Sequence, residues 1–206
     1  MRAKTNTAYF AKVAMLGVLA YVVMFLEVAL PFFPSFLKLD LSDIVPLIGA
    51  LALGPVAGVL VELLKNLLHL FTTHTGGVGE LANFIVGSAF VVTAGAIYAR
   101  HQTKRGALIA LLCSIGAMIV AGAVVNYFIT IPLYAVVLGL STEAIVGMSA
   151  KVIPAIHDKL SLILFAFCPF NLLKGIVLTL ITVPLYKKVS PLLKRESLRS
   201  EKKAHV

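Results

Sequence analysis

Ile44-Val45-Pro46-Leu47-Ile48-Gly49-Ala50-Leu51-Ala52-Leu53-Gly54-Pro55-Val56-Ala57-Gly58-Val59-Leu60-Val61-Glu62-Leu63-Leu64 is apolar up to Glu62. It has the length of one membrane span, yet Gly54-Pro55 stands in its middle. Proline removes a helix hydrogen bond and clashes with the turn before it. The choice between one span and two short ones decides the topology, and charge settles it. Thirteen of the 18 Lys and Arg residues fall in three clusters: Arg2, Lys4 and Lys12; Arg100, Lys104 and Arg105; and seven from Lys187 to Lys203. Basic loops stay on the cytoplasmic side. One span here would put Arg100–Arg105 opposite the N-terminal cluster. A turn at Gly54-Pro55 puts all three clusters on one side.

Composition fixes the class. The chain has 206 residues, is 60% hydrophobic and 13% charged, with mean hydropathy +1.00. Soluble domains hold about 45–50% apolar residues. Several apolar runs reach about 20 residues, enough to cross roughly 30 Å of hydrocarbon as helix. The expectation is an all-α membrane protein with six transmembrane helices and both termini cytoplasmic. It forms a single integral membrane domain over 1–206, multi-pass in a cell membrane. The spans fall at about 8–30, 42–53, 55–71, 80–99, 106–133 and 160–186. A basic cytoplasmic tail follows over 190–206, suited to anionic lipid headgroups. Topology accounts for the net charge of +9, so no nucleic-acid partner is implied. Tyr9, Tyr98 and Tyr186 each lie beside a basic cluster, where interfacial tyrosines belong.

Span 2 is short: twelve residues rise only about 18 Å. It must begin in the external loop or sit inside the bundle. Pro31 and Pro34 end span 1, and an external loop follows from Pro31 to Ser42. Thr72–Glu80 and about 135–159 are the other external segments.

The polar residues inside these spans carry the functional question. Span 3 holds Glu62, Lys65, Asn66 and His69 at helical spacings. They form either an internal Glu62–Lys65 pair with a surface histidine or a ligand-facing stripe. Span 6 holds Asn171 and Lys174, three residues apart, and a charge at that depth is costly. Asn126 in span 5 and Asn83 at the start of span 4 share their depth. An amide offers both a donor and an acceptor, matching a heterocycle edge. Phe84, Phe128, Phe167 and Phe170 supply apolar walls, and Asp40, Asp43 and Glu80 in the loops would hold hydroxyls. Span 6 offers Lys174 no acid, and Glu62 is the one intramembrane candidate for an ion pair with it.

Other chemistries lack their residues. There is no nucleotide-binding G-x-x-x-x-G-K-[ST], no H-E-x-x-H and no G-x-S-x-G. Cys113 and Cys168 sit in apolar runs without metal-ligand spacing, and His69, His74 and Glu62 are spaced irregularly. No catalytic residue, metal or cofactor is expected. Small residues recur in span 1 (Ala11, Ala14, Gly17) and span 3 (Gly58), serving internal packing or docking of another membrane subunit.

Six motifs occur in order: Leu37-Lys38-Leu39-Asp40-Leu41-Ser42-Asp43, Leu53-Gly54-Pro55-Val56-Ala57-Gly58, Leu64-Lys65-Asn66-Leu67-Leu68, Gly79-Glu80-Leu81-Ala82-Asn83-Phe84, Asn126-Tyr127-Phe128 with Pro132-Leu133-Tyr134, and Pro169-Phe170-Asn171-Leu172-Leu173-Lys174-Gly175. The set resembles the riboflavin-specific substrate-binding (S) components of bacterial energy-coupling-factor (ECF) transporters over nearly the whole chain. The resemblance implies a pocket open to the outside, with riboflavin as transported ligand. It implies partnership with a membrane T subunit and two cytoplasmic ATPases. The polar edge of the flavin ring would meet Asn126, Asn171 and Lys174. Leu39, Asp40, Gly79, Glu80, Asn83 and Phe170 complete the implied ligand site. The family's A-x-x-x-A docking pattern is altered here, reading Ala14 then Val18. The alternatives are an S component for another vitamin and an autonomous secondary transporter using Glu62, Lys65 and Lys174.

Overall fold

A computed structural model describes residues 7–204, with side chains described through 189 except at Lys187. The basic tail assigned to 190–206 lies outside the residues described with side chains. Most of the described chain is helical. The helices are α1 (Thr7–Met24), α2 (Ile44–Leu53), α3 (Pro55–His69), α4 (Val78–Arg100), α5 (Lys104–Val125), α6 (Ile131–Val137), α7 (Thr142–Ala150), α8 (Lys159–Leu162) and α9 (Cys168–Ala204). Among the described residues, five helical stretches are long and apolar enough to cross a membrane, and α2 is a shorter apolar helix.

The chain turns at Gly54. Its φ of +102° ends α2, and Pro55 opens α3 at the first helical position, where its missing N–H costs nothing. Ten residues give α2 about 15 Å. Its length suits its place, because every residue from Ile44 to Leu51 is buried. Leu47, Ala50, Phe90, Val91, Met118 and Leu178 are almost wholly buried in one core joining α2, α4, α5 and α9. Exposed apolar side chains such as Met15, Val120 and Leu180 lie on the bundle's outside.

Two expectations need correction here. Span 1 does not reach residue 30. It stops at Met24, because Glu27–Ala29 (β1) pairs antiparallel with Lys38–Asp40 (β2). The segment expected to be a plain loop is thus a hairpin, in register Glu27 with Asp40 and Ala29 with Lys38. A Lys38–Glu27 ion pair lies across it. The other correction concerns Gly17 and Gly58, two of the four residues proposed to dock a partner. A side chain at Gly17 would strike Leu64, and one at Gly58 would strike Ala50. Both are spent on packing within the chain, whereas Ala11 and Ala14 are exposed.

Two long helices each contain a π-helical turn. One, Asn126–Thr130, joins α5 to α6; the other, Ile163–Phe167, joins α8 to α9. Such turns insert a residue into the helix and frequently mark functional sites. At the far end of the bundle, Tyr186 Oη donates to the Leu51 carbonyl at 3.2 Å. Its ring stands edge-on to Tyr98, centroids 5.9 Å apart.

Candidate ligand-binding site

A cavity of about 350 Å³ opens between the hairpin, the end of α3, the start of α4, both π turns and α9. That volume lies at the small end of the range for small-molecule sites, about 300–1,000 Å³. Asn126, Asn171, Lys174, Asp40, Asn83, Gly79, Glu80 and Phe170 all line it. Reading the residues named seven of these and the family resemblance added Gly79; all eight line the cavity.

The two π turns place the amides. Asn126 begins the first, and Asn171 follows the second by one helical turn. Asn126 Nδ2 donates to the Gly122 carbonyl at 2.7 Å, and Asn171 Nδ2 to the Phe167 carbonyl at 2.9 Å. A carbonyl only accepts, so the contacting atom of each amide is its nitrogen. Each side-chain oxygen and the second N–H are thereby turned away from the helix backbone.

Lys174 lies one turn beyond Asn171 on the same face. Its Nζ is 2.7 Å from Asp43 Oδ2 and 3.8 Å from Asp40 Oδ2. The ion-pair partner is therefore Asp43, not Glu62, which the sequence offered as the one intramembrane candidate. Glu62 is instead 3.0 Å from Lys65 Nζ. Lys65 also donates to Ser42 Oγ at 2.8 Å and to Asp43 Oδ1. Asp43 thus bridges two lysines from two helices. It sits immediately before α2, where the positive end of a helix dipole favours a carboxylate.

Asp40 holds the hairpin to the cavity. Its Oδ1 accepts from Ser42 N at 2.7 Å, and its Oδ2 from Ser42 Oγ at 2.8 Å and Asn83 Nδ2 at 3.2 Å. At the rim, Glu80 accepts from Thr75 Oγ1 at 2.9 Å and lies 2.8 Å from His69 Nδ1.

Some expected residues stand elsewhere. Leu39 is not in the wall, since strand alternation turns it away from Lys38 and Asp40. Phe128 is 69% exposed; two residues from Asn126 on a helix is nearly the opposite face. Phe84 is also absent from the wall, while Phe167 and Phe170 line it. Asp43 was expected to hold a ligand hydroxyl, but it is fully buried behind the wall. His69, one member of the possible ligand-facing stripe, lines the cavity, and so do His74, Tyr134 and Thr130, which the sequence had not pointed to. The i,i+4 spacing of Asn126 and Thr130 was the available signal for the last.

Comparison with known proteins gives concordant likenesses. Residues 9–186 match the family model described as ECF transporter, substrate-specific component. The chain is 34% identical over 183 residues to the riboflavin transporter RibU of Staphylococcus aureus (strain TCH60), covering 89% of this chain and 90% of that one. It is 30% identical over 189 residues to the riboflavin transporter FmnP of Bacillus subtilis (strain 168), covering 89% and 93%. A solved S component of a bacterial ECF transporter superposes with TM-score 0.72 at 30% identity, covering 92% of this chain and 99% of that one.

Proposed function

Because the chain belongs to the substrate-specific components of ECF transporters, we propose that it captures riboflavin outside a bacterial membrane and passes it inward. It is a multi-pass membrane protein and works by binding, not by catalysis. The observation that carries the riboflavin reading is the wall of the cavity. Two amides with free oxygens and an ammonium face one polar region, and Phe167 and Phe170 flank it. A flat ring system with carbonyls and an imide N–H along one edge complements that arrangement: Lys174 donates, and the amides both donate and accept. Asp40, Asn83, Glu80 and Gly79 line the same cavity and offer polar groups to a hydroxylated chain.

The chain is one membrane domain of six crossings with both termini cytoplasmic, the buried α2 counting as the short second crossing. Its energy comes from elsewhere: a membrane T subunit and two ATPases form the rest of the importer. Of the small residues on α1, exposed Ala11 and Ala14 remain as the docking face for the T subunit.

Protein purified from cells fed riboflavin should be yellow, and the purified chain should quench flavin fluorescence on titration. Colourless protein that leaves flavin emission unchanged would dispose of the reading. The chain has no Trp, so the flavin's own signal is the one to follow.

A further inference from the structure

We propose that Asp43 is a positioning residue that aims the Lys174 ammonium into the cavity, and so sets ligand affinity without touching the ligand. The proposal rests on the riboflavin reading above. Asp43 is fully buried and is no part of the cavity wall. Its two oxygens are divided between two lysines: Oδ1 takes Lys65, and Oδ2 lies 2.7 Å from Lys174 Nζ.

The two lysines are held very differently. Lys65 is fully buried and gripped by Ser42 Oγ at 2.8 Å, Glu62 Oε2 at 3.0 Å and Asp43. It anchors Asp43 from behind. Lys174 lines the cavity, and among the described residues its other carboxylate neighbour is Asp40, at 3.8 Å. Asp40 already accepts from Ser42 N, Ser42 Oγ and Asn83 Nδ2, and at 3.8 Å it lies farther from the ammonium than Asp43 does. A lysine is a point charge on a flexible four-carbon stem. Where that charge rests is decided by its anchor, and the anchor here is Asp43. The line Glu62–Lys65–Asp43–Lys174 therefore carries the packing of α3 to the ligand-facing side of α9.

The test is a double-mutant cycle on riboflavin affinity, read by flavin fluorescence with purified full-length chain. The variants are Asp43→Asn, Lys174→Met and the pair together, each checked for a monodisperse profile in detergent. Asp43→Asn should weaken binding about tenfold or more, and the double variant should match Lys174→Met within about twofold. Losses that multiply would overturn the proposal, since Asp43 would then act by another route. An Asp43→Asn variant that binds like the wild type overturns it equally. Should the single Asp43 variant not fold, the step from Lys174→Met to the double variant decides alone. Equal affinity across that step supports the proposal, and a further loss refutes it. If the wild-type chain binds no riboflavin, the flavin reading itself falls and takes the proposal with it. Normal wild-type binding with multiplying losses removes the proposal alone.

Discussion

α3 and α9 each carry a lysine into the apolar interior, with an asparagine close by on the same helix. Asn66 follows Lys65 directly, and Asn171 precedes Lys174 by three residues. In composition and depth the two regions look alike, but their surroundings differ. Lys65 is closed in on every side by Ser42, Asp43 and Glu62, and Asn66 Nδ2 is turned back onto the Glu62 carbonyl at 2.8 Å. Lys174 and Asn171 face a cavity. A buried charge whose neighbours already satisfy it serves the fold, whereas one with an open side is available to a ligand. The two regions share a single carboxylate, Asp43, so the closed one supports the open one.

The sharpest way to break this comparison is to remove Lys65. Lys65→Met leaves Asp43 and Glu62 facing each other with one less positive charge, both fully buried. Breaking a buried pair in this way costs about 3–5 kcal/mol. Little folded protein should survive detergent extraction, as seen by size exclusion and thermal denaturation. A Lys65→Met chain that melts like the wild type would erase the distinction between the two lysines.

Lys174→Met should separate binding from folding. A hydrogen bond to a charged group contributes about 1.5–3 kcal/mol, so riboflavin affinity should fall about tenfold or more by fluorescence titration. The melting temperature of the ligand-free protein should drop less than for Lys65→Met.

Gly122→Ala probes the open region without altering any polar group. A Cβ built at Gly122 would lie 2.5 Å from Asn171 Nδ2. The amide must move off the Phe167 carbonyl, and a loss of about 1 kcal/mol is expected. That should read as a several-fold rise in the riboflavin dissociation constant. Unchanged affinity would mean that the orientation of Asn171 does not matter to the ligand.

The smallest effect should come from the opposite end of the bundle. Tyr186→Phe removes the hydroxyl that caps the Leu51 carbonyl. It should lower stability by about 0.5–1.5 kcal/mol, measured by thermal denaturation, and leave riboflavin affinity unchanged. A change in affinity would show that the tyrosine end and the cavity are coupled.

The membrane class, the turn at Gly54-Pro55 and the grouping of Asn126, Asn171 and Lys174 were legible because they follow from hydropathy, backbone chemistry and helical spacing. What the chain order hid was contact across distance. Asp43 is 131 positions from Lys174 in sequence, so no local period links them, and Glu62 was the acid farthest from the ends of a long span. The hairpin escaped for a related reason. Three-residue strands carry too little alternation to stand out, and here the partners Glu27–Ala29 and Lys38–Asp40 are separated by a loop containing Pro31 and Pro34. Phe84 and Phe128 lie off the wall because depth along a helix does not specify the angle around it.

The asparagine contacts made at the two π turns have a thermodynamic consequence. Each amide is already tied to its own helix, Asn126 to Gly122 and Asn171 to Phe167. Much of the rotamer freedom a side chain loses on meeting a ligand, roughly 0.5–1.5 kcal/mol for each one immobilised, has therefore been given up during folding. Binding a rigid planar molecule at these amides should carry a smaller entropic penalty than the same contacts made by untethered side chains.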